Sequence, residues 1–337
     1  MVHRRSFLKR AGVAGSIALT GFAGCTGGGG GGGGETATET PTEQQTTTQQ
    51  RFGDGVLDFY MSPSEPQDLM MKQYQPVKEY LTQEVHETKL TYAKNYTAVI
   101  ESLGSGTGDV AETGPFAAAL GVNAGKAEIA LQRFAYGSWK YTSVIVTKQG
   151  SDISSLTDLK GKKIALADRL SASGSLFPLY MLKQAGLSIG DLPTGSDANA
   201  DFEANYAGGH AAAWEALRAG RVAAAGVGKF ITVTGDARTL AEGYKYVKTY
   251  DGIPRAPILL SPQLSESTQS EVVNALKNAP DWMYLGADGK ADTDKKSDNP
   301  DDDLWFSDVR PATVETYQPV IDVAKDLGIK LAQLDTS

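Results

Sequence analysis

Short apolar runs alternate with helical stripes along most of this chain, and no other feature constrains its fold as strongly. The run 56–61 predicts a buried strand, and the stripe from Met70 to Leu81 predicts a helix that Pro76 kinks or divides. The same order of strand and helix returns through 89–113 and again after residue 140. Such alternation predicts an α/β fold with mostly parallel sheets.

Residues 52–337 reach the length, roughly 250–300 residues, at which single cores stop growing and chains divide into lobes. We therefore expect two lobes, with 52–146 and 256–337 in lobe 1 and 147–255 in lobe 2. Ligands of open α/β sheets bind beyond the carboxyl ends of the strands. The expected binding site is therefore a cleft between the two sheets.

The first 24 residues are expected to be a twin-arginine lipoprotein signal peptide. Arg4 and Arg5 precede an uncharged apolar run, 11–24, which is shorter than the roughly 20 residues that a membrane-spanning helix needs. The twin arginine resembles the signal for export of folded proteins, and the residues up to Cys25 resemble a lipoprotein processing site. A buried helix with one free cysteine is the alternative interpretation.

Residues 25–51 are expected to form a flexible tether, because the glycine tract 27–34 and the Thr-, Glu- and Gln-rich residues after it cannot bury enough apolar surface to fold. Cys25 is the only cysteine, so no disulfide forms within a monomer. Two acyl chains on this cysteine would anchor the protein stably to the outer face of the cytoplasmic membrane.

The charge and motif content exclude several classes of function. The net charge is −8, and four basic residues of the total lie in the leader, so the folded region is more acidic still and lacks the basic stripe of a nucleic-acid groove. The sequence contains no Gly-x-Ser-x-Gly elbow, no phosphate-binding loop ending in Gly-Lys-Ser/Thr, and no pair of histidines or cysteines at metal spacing. We therefore assign no catalytic residue, metal or cofactor, and keep a secreted phosphoester hydrolase as an alternative.

The loop Ser171-Ala172-Ser173-Gly174 lies between a predicted buried strand and a predicted helix. Free backbone N–H groups at such a helix start point at an anion, and serine hydroxyls add donors. Simple capping of the helix by Ser173 is the alternative. His210 follows two glycines at the start of the next predicted helix, where it either donates to the same anion or packs as a structural residue.

The end of the third predicted strand, Thr113-Gly114-Pro115-Phe116, is expected to face these groups from lobe 1, with Thr113 as a donor. The same four residues are also compatible with an ordinary turn.

A series of motifs together resembles one known family. The motifs, in chain order, are Tyr74-x-Pro76, Tyr96-x-x-Val99-Ile100-Glu101, Gly108-Asp109-Val110-Ala111-Glu112-Thr113-Gly114-Pro115, Tyr141-x-Ser143-x-Ile145-Val146, Leu156-x-Asp158-Leu159-Lys160-Gly161, Ser171-Ala172-Ser173-Gly174 and Gly209-His210. Their order and spacing, from about Val56 to Leu327, are similar to those of the substrate-binding proteins of phosphate, phosphite and phosphonate ABC importers, the PhnD-like group.

This resemblance implies a two-lobed periplasmic-binding-protein fold of class II with a two-strand hinge. It also implies a monomer that binds a small oxyanion, delivers it to an ABC permease, and has no nucleic-acid partner. The residues that the resemblance assigns to ligand binding are Ser171, Ser173, Gly174 and His210, followed by Tyr96, Thr113, Phe116, Tyr141 and Tyr60.

Two positions depart from the family pattern. Ala172 replaces the usual middle threonine of the serine loop, and Ala223 replaces a usual aspartate, so a donor and an acceptor are missing. A binding protein for a neutral, aromatic or sulfonate nutrient is therefore the second hypothesis, with Trp139, Tyr206 and Trp214 as candidate stacking residues.

Overall fold

The computed structural model describes residues 52, 54–234, 238–290 and 302–329. The predicted signal peptide, the tether and the lipid-anchor residue Cys25 lie outside the described residues. Within the described ranges, no helix is long and apolar enough to cross a bilayer, and no group of three or more His, Cys, Asp or Glu side chains is arranged to hold a metal ion.

The described residues form short strands and helices in alternation, which confirms the α/β prediction. The strands are β1 (Leu57–Met61), β2 (Thr88–Tyr92), β3 (Val110–Glu112), β4 (Glu128–Phe134), β5 (Lys140–Lys148), β6 (Lys163–Leu166), β7 (Glu203–Tyr206), β8 (Ala224–Gly228), β9 (Val233–Thr234), β10 (Thr239–Leu240), β11 (Tyr244–Pro254), β12 (Pro257–Leu260) and β13 (Asp308–Pro311). The helices are α1 (Gln67–Gln73), α2 (Gln75–Glu84), α3 (Tyr96–Ser105), α4 (Pro115–Asn123), α5 (Phe177–Gln184), α6 (His210–Arg218), α7 (Glu266–Lys277) and α8 (Gln318–Asp326).

The helix predicted across Met70 to Leu81 is divided, as expected from Pro76. Helix α1 ends at Gln73 and α2 begins at Gln75, with Tyr74 capping both, and Pro76 occupies the first turn of α2, where its missing N–H leaves no helical hydrogen bond unmade. Tyr74 at this junction is fully buried and packs on Phe59 of β1.

Two main sheets are present, and each is mixed rather than mostly parallel. The first has the order β13-β4-β12-β3-β1-β2 and the second β11-β5-β8-β6-β7. The parallel pairs are β1 with β2 and β3, and β6 with β7 and β8. The expectation of mostly parallel sheets was wrong because β5 and β12 each enter their sheet after the chain has crossed from the other one. They therefore run antiparallel to the strands beside them.

The chain crosses between the two sheets at 135–139 and at 255–256. Strand β5, which the sequence analysis divided at 146/147, lies whole in the second sheet, whereas the second crossing coincides with the expected change at 255/256. These two crossings bring the carboxyl ends of β1, β3 and β4 toward those of β6 and β8.

Separate apolar cores support the two sheets. Phe59, Met70 and Val272 belong to the core of the first sheet, and Ile164 and Leu179 to one of the cores of the second. A further cluster joins the sheets through Phe116 of α4, Phe177 of α5 and Val320 of α8. Residues at the facing ends of the strands are therefore held by packed cores behind them.

Candidate functional site

A cavity of about 60 Å³ lies where the ends of the two sheets face each other. Since one water needs roughly 10–15 Å³, this volume suits a ligand of a few non-hydrogen atoms. We call the side supported by the first sheet the first wall; it consists of Ser62, Ser64, Glu65, Tyr96, Glu112, Thr113, Gly114, Arg133 and Trp305. The second wall consists of Ser171, Ala172, Ser173, His210 and Phe230. Residues at the crossings and at the start of β5 close the cavity, and these are Tyr136, Tyr141, Arg255 and Ala256.

The second wall is built by the turn between β6 and α5. Ser171 begins a π-helical turn, Ala172–Leu176, and its Oγ accepts a hydrogen bond from the amide of Gly174 at 3.1 Å. The residue that caps this turn is therefore Ser171 rather than Ser173. From β5, Ser143 Oγ donates to the carbonyl of Ser173 at 2.7 Å, which fixes the turn against the second sheet.

The start of this turn has backbone donors available to a ligand. Within the described part of the chain, the amide of Ala172 has no acceptor, and the backbone and hydroxyl of Ser173 lie against the hydroxyl of Tyr141. Unpaired amides at a helical N-terminus carry partial positive charge and attract anions. This turn can therefore bind an anionic oxygen without a basic side chain of its own.

His210 is buried and holds Ser171 in place. Its Nδ1 accepts a hydrogen bond from the amide of Gly228 at 3.0 Å, so Nδ1 is unprotonated and the ring proton of the neutral imidazole lies on Nε2. Nε2 lies 3.1 Å from Ser171 Oγ and donates to it. Burial lowers the pKa of His210 to about 4, which keeps the ring neutral near pH 7.

The Ser171 hydroxyl is oriented by these contacts. Because its oxygen accepts from both Gly174 and His210, its proton is left to donate to another group. In this arrangement His210 reaches a ligand through the Ser171 hydroxyl rather than through its own N–H.

Gly174 has a steric role in this turn. A Cβ atom at this position would lie 2.4 Å from the Cβ of Ala167 and 2.8 Å from Cε1 of His210. Both distances are shorter than real carbon contacts, so a larger residue would displace the imidazole or the turn.

The first wall contains a buried ion pair. Arg133 of β4 and Glu112 of β3 are 0% and 1% exposed, and Arg133 Nη1 donates to Glu112 Oε2 at 2.8 Å. The other carboxylate oxygen accepts from the amide and the hydroxyl of Ser62 at 2.6 and 2.9 Å. Arg133 also donates to the hydroxyl of Tyr74 and stacks on Trp305, 4.3 Å from the ring centre. The pair is satisfied on every side by protein groups.

Two further first-wall residues present hydroxyl groups. Thr113 is completely buried, and its Oγ1 has no hydrogen-bond partner among the residues described. Tyr96 begins α3, which is capped by the side chain of Asn95, and burial raises the pKa of its phenol well above the usual value. Both groups therefore remain protonated donors near neutral pH.

Arg255 is a second arginine at the cavity, and its charge is compensated differently. Its Nε donates to the carbonyl of Ser138 at 2.8 Å, and its guanidinium lies over the rings of Tyr136 and Tyr141. The groups that act on it electrostatically are tyrosines and other arginines rather than carboxylates, and burial lowers its pKa to about 10. Arg255 is therefore still charged at pH 7 and gives the cavity a net positive contribution.

The structure brings six of the nine predicted ligand residues to one cavity: Ser171, Ser173, His210, Tyr96, Thr113 and Tyr141. Gly174 lies behind the wall and acts through its amide on Ser171. Phe116 is fully buried in the cluster that joins the sheets, and Tyr60 lies against Gly108, so neither lines the cavity.

Sequence reasoning missed Arg133, Arg255 and Glu65. The sequence does contain a signal for Arg133. This arginine lies within the short strand 128–134, whose residues are expected to be buried, and arginine is rarely buried without a partner. Arg255 and Glu65 lie in loops, and no local pattern identifies them. The stacking candidates Trp139, Tyr206 and Trp214 do not line the cavity; Trp214, for example, packs on Tyr244.

Comparisons of sequence place this chain near transport proteins. A family model described as "ABC transporter, phosphonate, periplasmic substrate-binding protein" matches residues 59–296. The chain is 30% identical over 155 residues to the phosphate-import protein PhnD of Mycolicibacterium smegmatis, an alignment that covers 44% of this chain and 47% of that protein. The match thus spans about half the length of that curated relative.

Comparisons of structure agree with the sequence match. A binding protein component of an ABC phosphonate transporter from Pseudomonas aeruginosa superposes with a TM-score of 0.63 at 19% identity, covering 81% of this chain and 86% of that one. PhnD1 from Prochlorococcus marinus in complex with methylphosphonate gives a TM-score of 0.64 at 18% identity, covering 81% and 98%. These likenesses confirm the two-lobed periplasmic-binding-protein fold.

Proposed function

Because the chain belongs to the family of periplasmic substrate-binding proteins of phosphonate ABC transporters, we propose that it binds a small phosphorus oxyanion in the cavity between its two walls. The ligand class comprises phosphate, phosphite and phosphonates. The protein then delivers this anion to the transmembrane subunits of an ABC permease.

The observation that carries the proposal is the pairing of Arg255 with the free donors of the serine turn. A buried cation that makes no ion pair within the described ranges and whose electrostatic neighbours are tyrosines and arginines favours an anion, and the Ala172 amide and Ser171 hydroxyl supply directed hydrogen bonds to its oxygens. The volume of about 60 Å³ matches a ligand of a few heavy atoms.

Ligand capture would couple to movement of the two sheets about the crossings at 135–139 and 255–256. Contacts from both walls to one anion favour the closed arrangement, because the ligand then binds that state more tightly than an open one. The family acts outside the cytoplasm, and we propose that Cys25 carries the lipid that retains this monomeric protein at the outer face of the cytoplasmic membrane.

The test is the midpoint of thermal unfolding with added anions. We expect phosphate, phosphite or methylphosphonate to raise the midpoint, since a ligand that binds only the folded state stabilises it by mass action. His210→Ala should reduce the rise, because Ser171 loses the group that orients its hydroxyl. A full panel of these anions without any shift in the wild type would overturn the ligand class.

A neutral, aromatic or sulfonate nutrient remains the second candidate. It is favoured by the rings that line the cavity, namely Tyr96, Tyr136, Tyr141, Phe230 and Trp305. A copurified ligand without phosphorus, identified by mass spectrometry, would support it.

The hydrolase alternative is disfavoured by the tautomer of His210. A nucleophilic serine needs a neighbouring base with a free nitrogen lone pair, and the nitrogen that faces Ser171 carries the ring proton. Turnover of a phosphoester that His210→Ala abolishes would revive this alternative.

A further inference from the structure

Glu65 is a carboxyl group at the cavity that none of the preceding contacts uses. It lies in the loop between β1 and α1, where its backbone carbonyl accepts from the hydroxyl of Tyr92 at 2.9 Å. Its side chain lines the cavity, and Oε2 is buried without a hydrogen-bond partner among the residues described.

The protein surroundings of this carboxyl leave one oxygen for a ligand. The side chain of Gln73, which is itself buried, lies close enough to favour the charged form of Glu65, and Arg238 attracts the carboxylate from a distance. Glu112 repels it, although Arg133 occupies one oxygen of that residue. Desolvation raises the pKa of Glu65 above its ordinary value.

A carboxyl oxygen and an oxyanion oxygen can lie in contact only when one proton is between them, because two bare negative oxygens repel. The proton belongs either to the ligand or to Glu65. A phosphate monoester loses its second proton at about pH 6, so a phosphorus oxyanion can bring that proton near neutral pH. A sulfonate has no proton to bring, so Glu65 would have to take one from water.

We propose that Glu65 makes the cavity selective for oxyanions that carry an exchangeable proton and selects against sulfonates. This inference rests on the proposed binding of a phosphorus oxyanion. It also assigns an acceptor to the first wall. Ala223, the position of the carboxylate missing from the family pattern, precedes β8 at the end of the second sheet away from the cavity and does not line it.

The pH dependence of this selection is not set by the other cavity groups. The groups that face Glu65 across the cavity or along its own wall are Gln73, Glu112, Arg133, Tyr136, His210, Arg238 and Arg255. The imidazole of His210 stays neutral above a pKa of about 4, and arginines keep their charge. Glu65, whose pKa is raised by burial, is therefore the cavity group whose loss of a proton should govern sulfonate binding as the pH rises.

Methylphosphonate and methanesulfonate form a matched pair of probes, since both place a methyl group and three oxygens around one tetrahedral atom. Isothermal titration calorimetry of the wild type should give methanesulfonate an affinity that falls by up to about tenfold per pH unit as Glu65 loses its proton. Titrations in two buffers of different ionisation enthalpy should show uptake approaching one proton per methanesulfonate at pH 7.5.

In Glu65→Gln, the amide donates permanently to the ligand. Methanesulfonate binding should then be independent of pH between 5.5 and 7.5, tighter than in the wild type at pH 7.5 by tenfold or more, and free of proton uptake. Glu84→Gln, which removes an exposed carboxylate from the same lobe, should behave as the wild type.

The outcomes separate this inference from the proposed function. The role of Glu65 alone would be overturned if methanesulfonate binding showed the same pH dependence in the wild type and in Glu65→Gln. It would also be overturned if methylphosphonate bound and methanesulfonate binding depended on pH in neither protein. Binding of methanesulfonate to the wild type at pH 7.5 without proton uptake would also overturn the role of Glu65, and this measurement needs no variant. Failure of methylphosphonate to bind the wild type would overturn the proposed function itself.

Discussion

The two walls of the cavity use different chemistry to face the same space. The second wall offers neutral donors, the amide of Ala172 and the hydroxyl of Ser171, and the imidazole that orients this hydroxyl is kept uncharged by burial. The first wall and the crossings hold full charges, in the buried pair of Arg133 with Glu112 and in Arg255. The donors of the second wall come mainly from one local turn, whereas the charged groups of the first wall and the crossings come from distant strands.

This difference separates the residues that determine ligand affinity from those that determine the free energy of unfolding. Neutral donors at a helix start lose little when no ligand is bound, because water replaces the missing acceptor in an open cavity. A buried ion pair is strongly penalised when one partner is removed, because the remaining charge is left without compensation. Variants of the buried ion pair should therefore affect folding, whereas variants of the serine turn should affect ligand affinity.

The largest expected effect is on the ion pair of the first wall. Arg133→Met leaves Glu112 buried without its partner and should lower the free energy of unfolding by about 3–5 kcal/mol, measured by urea denaturation. Arg218→Met removes an arginine from an exposed pair with Glu215 and should cost less than about 1 kcal/mol. Equal losses in the two variants would show that burial of the pair is not what distinguishes the first wall.

A variant of Arg255 tests whether the positive charge that attracts the anion lies at the crossing at 255–256. Arg255→Gln should weaken methylphosphonate binding by about 30-fold or more, because truncating one partner of a buried charge pair costs about 2–5 kcal/mol. Calorimetric titration measures the change, with the exposed Arg221→Gln as the control. Unchanged affinity in Arg255→Gln would place the anion elsewhere.

The smallest expected effect concerns the second wall. Ser171→Ala removes one hydroxyl donor to a charged ligand and should weaken methylphosphonate binding by about 10- to 150-fold, since such a hydrogen bond contributes about 1.5–3 kcal/mol. Ser175→Ala removes a buried serine of the same turn that does not line the cavity, and should retain the wild-type affinity. A similar loss in both variants would mean that the turn matters only for its own folding.

The same contrast explains how much could be predicted from the sequence. The serine turn and His210 were found because a strand, a short loop and a helix start lie next to one another in the chain, and the geometry of such a loop follows from local rules. The division of the helix at Pro76 is predictable for the same reason.

The charged wall could not be derived in this way. Arg133 meets Glu112 only after β12 has paired between β4 and β3, and that pairing joins residues more than a hundred positions apart. Arg255 reaches the cavity only because the chain crosses between sheets there. Long-range pairing of this kind leaves no trace in local composition or periodicity. The direction of β5 and β12 was missed on the same grounds.

The most direct test of the account is a crystal structure of the protein grown with methylphosphonate. We expect an anion in the cavity, with oxygens within about 3.2 Å of the Ala172 amide and Ser171 Oγ and with the Arg255 guanidinium beside it. An anion bound outside the two walls, or a closed cavity that excludes it while binding is measured in solution, would contradict the account.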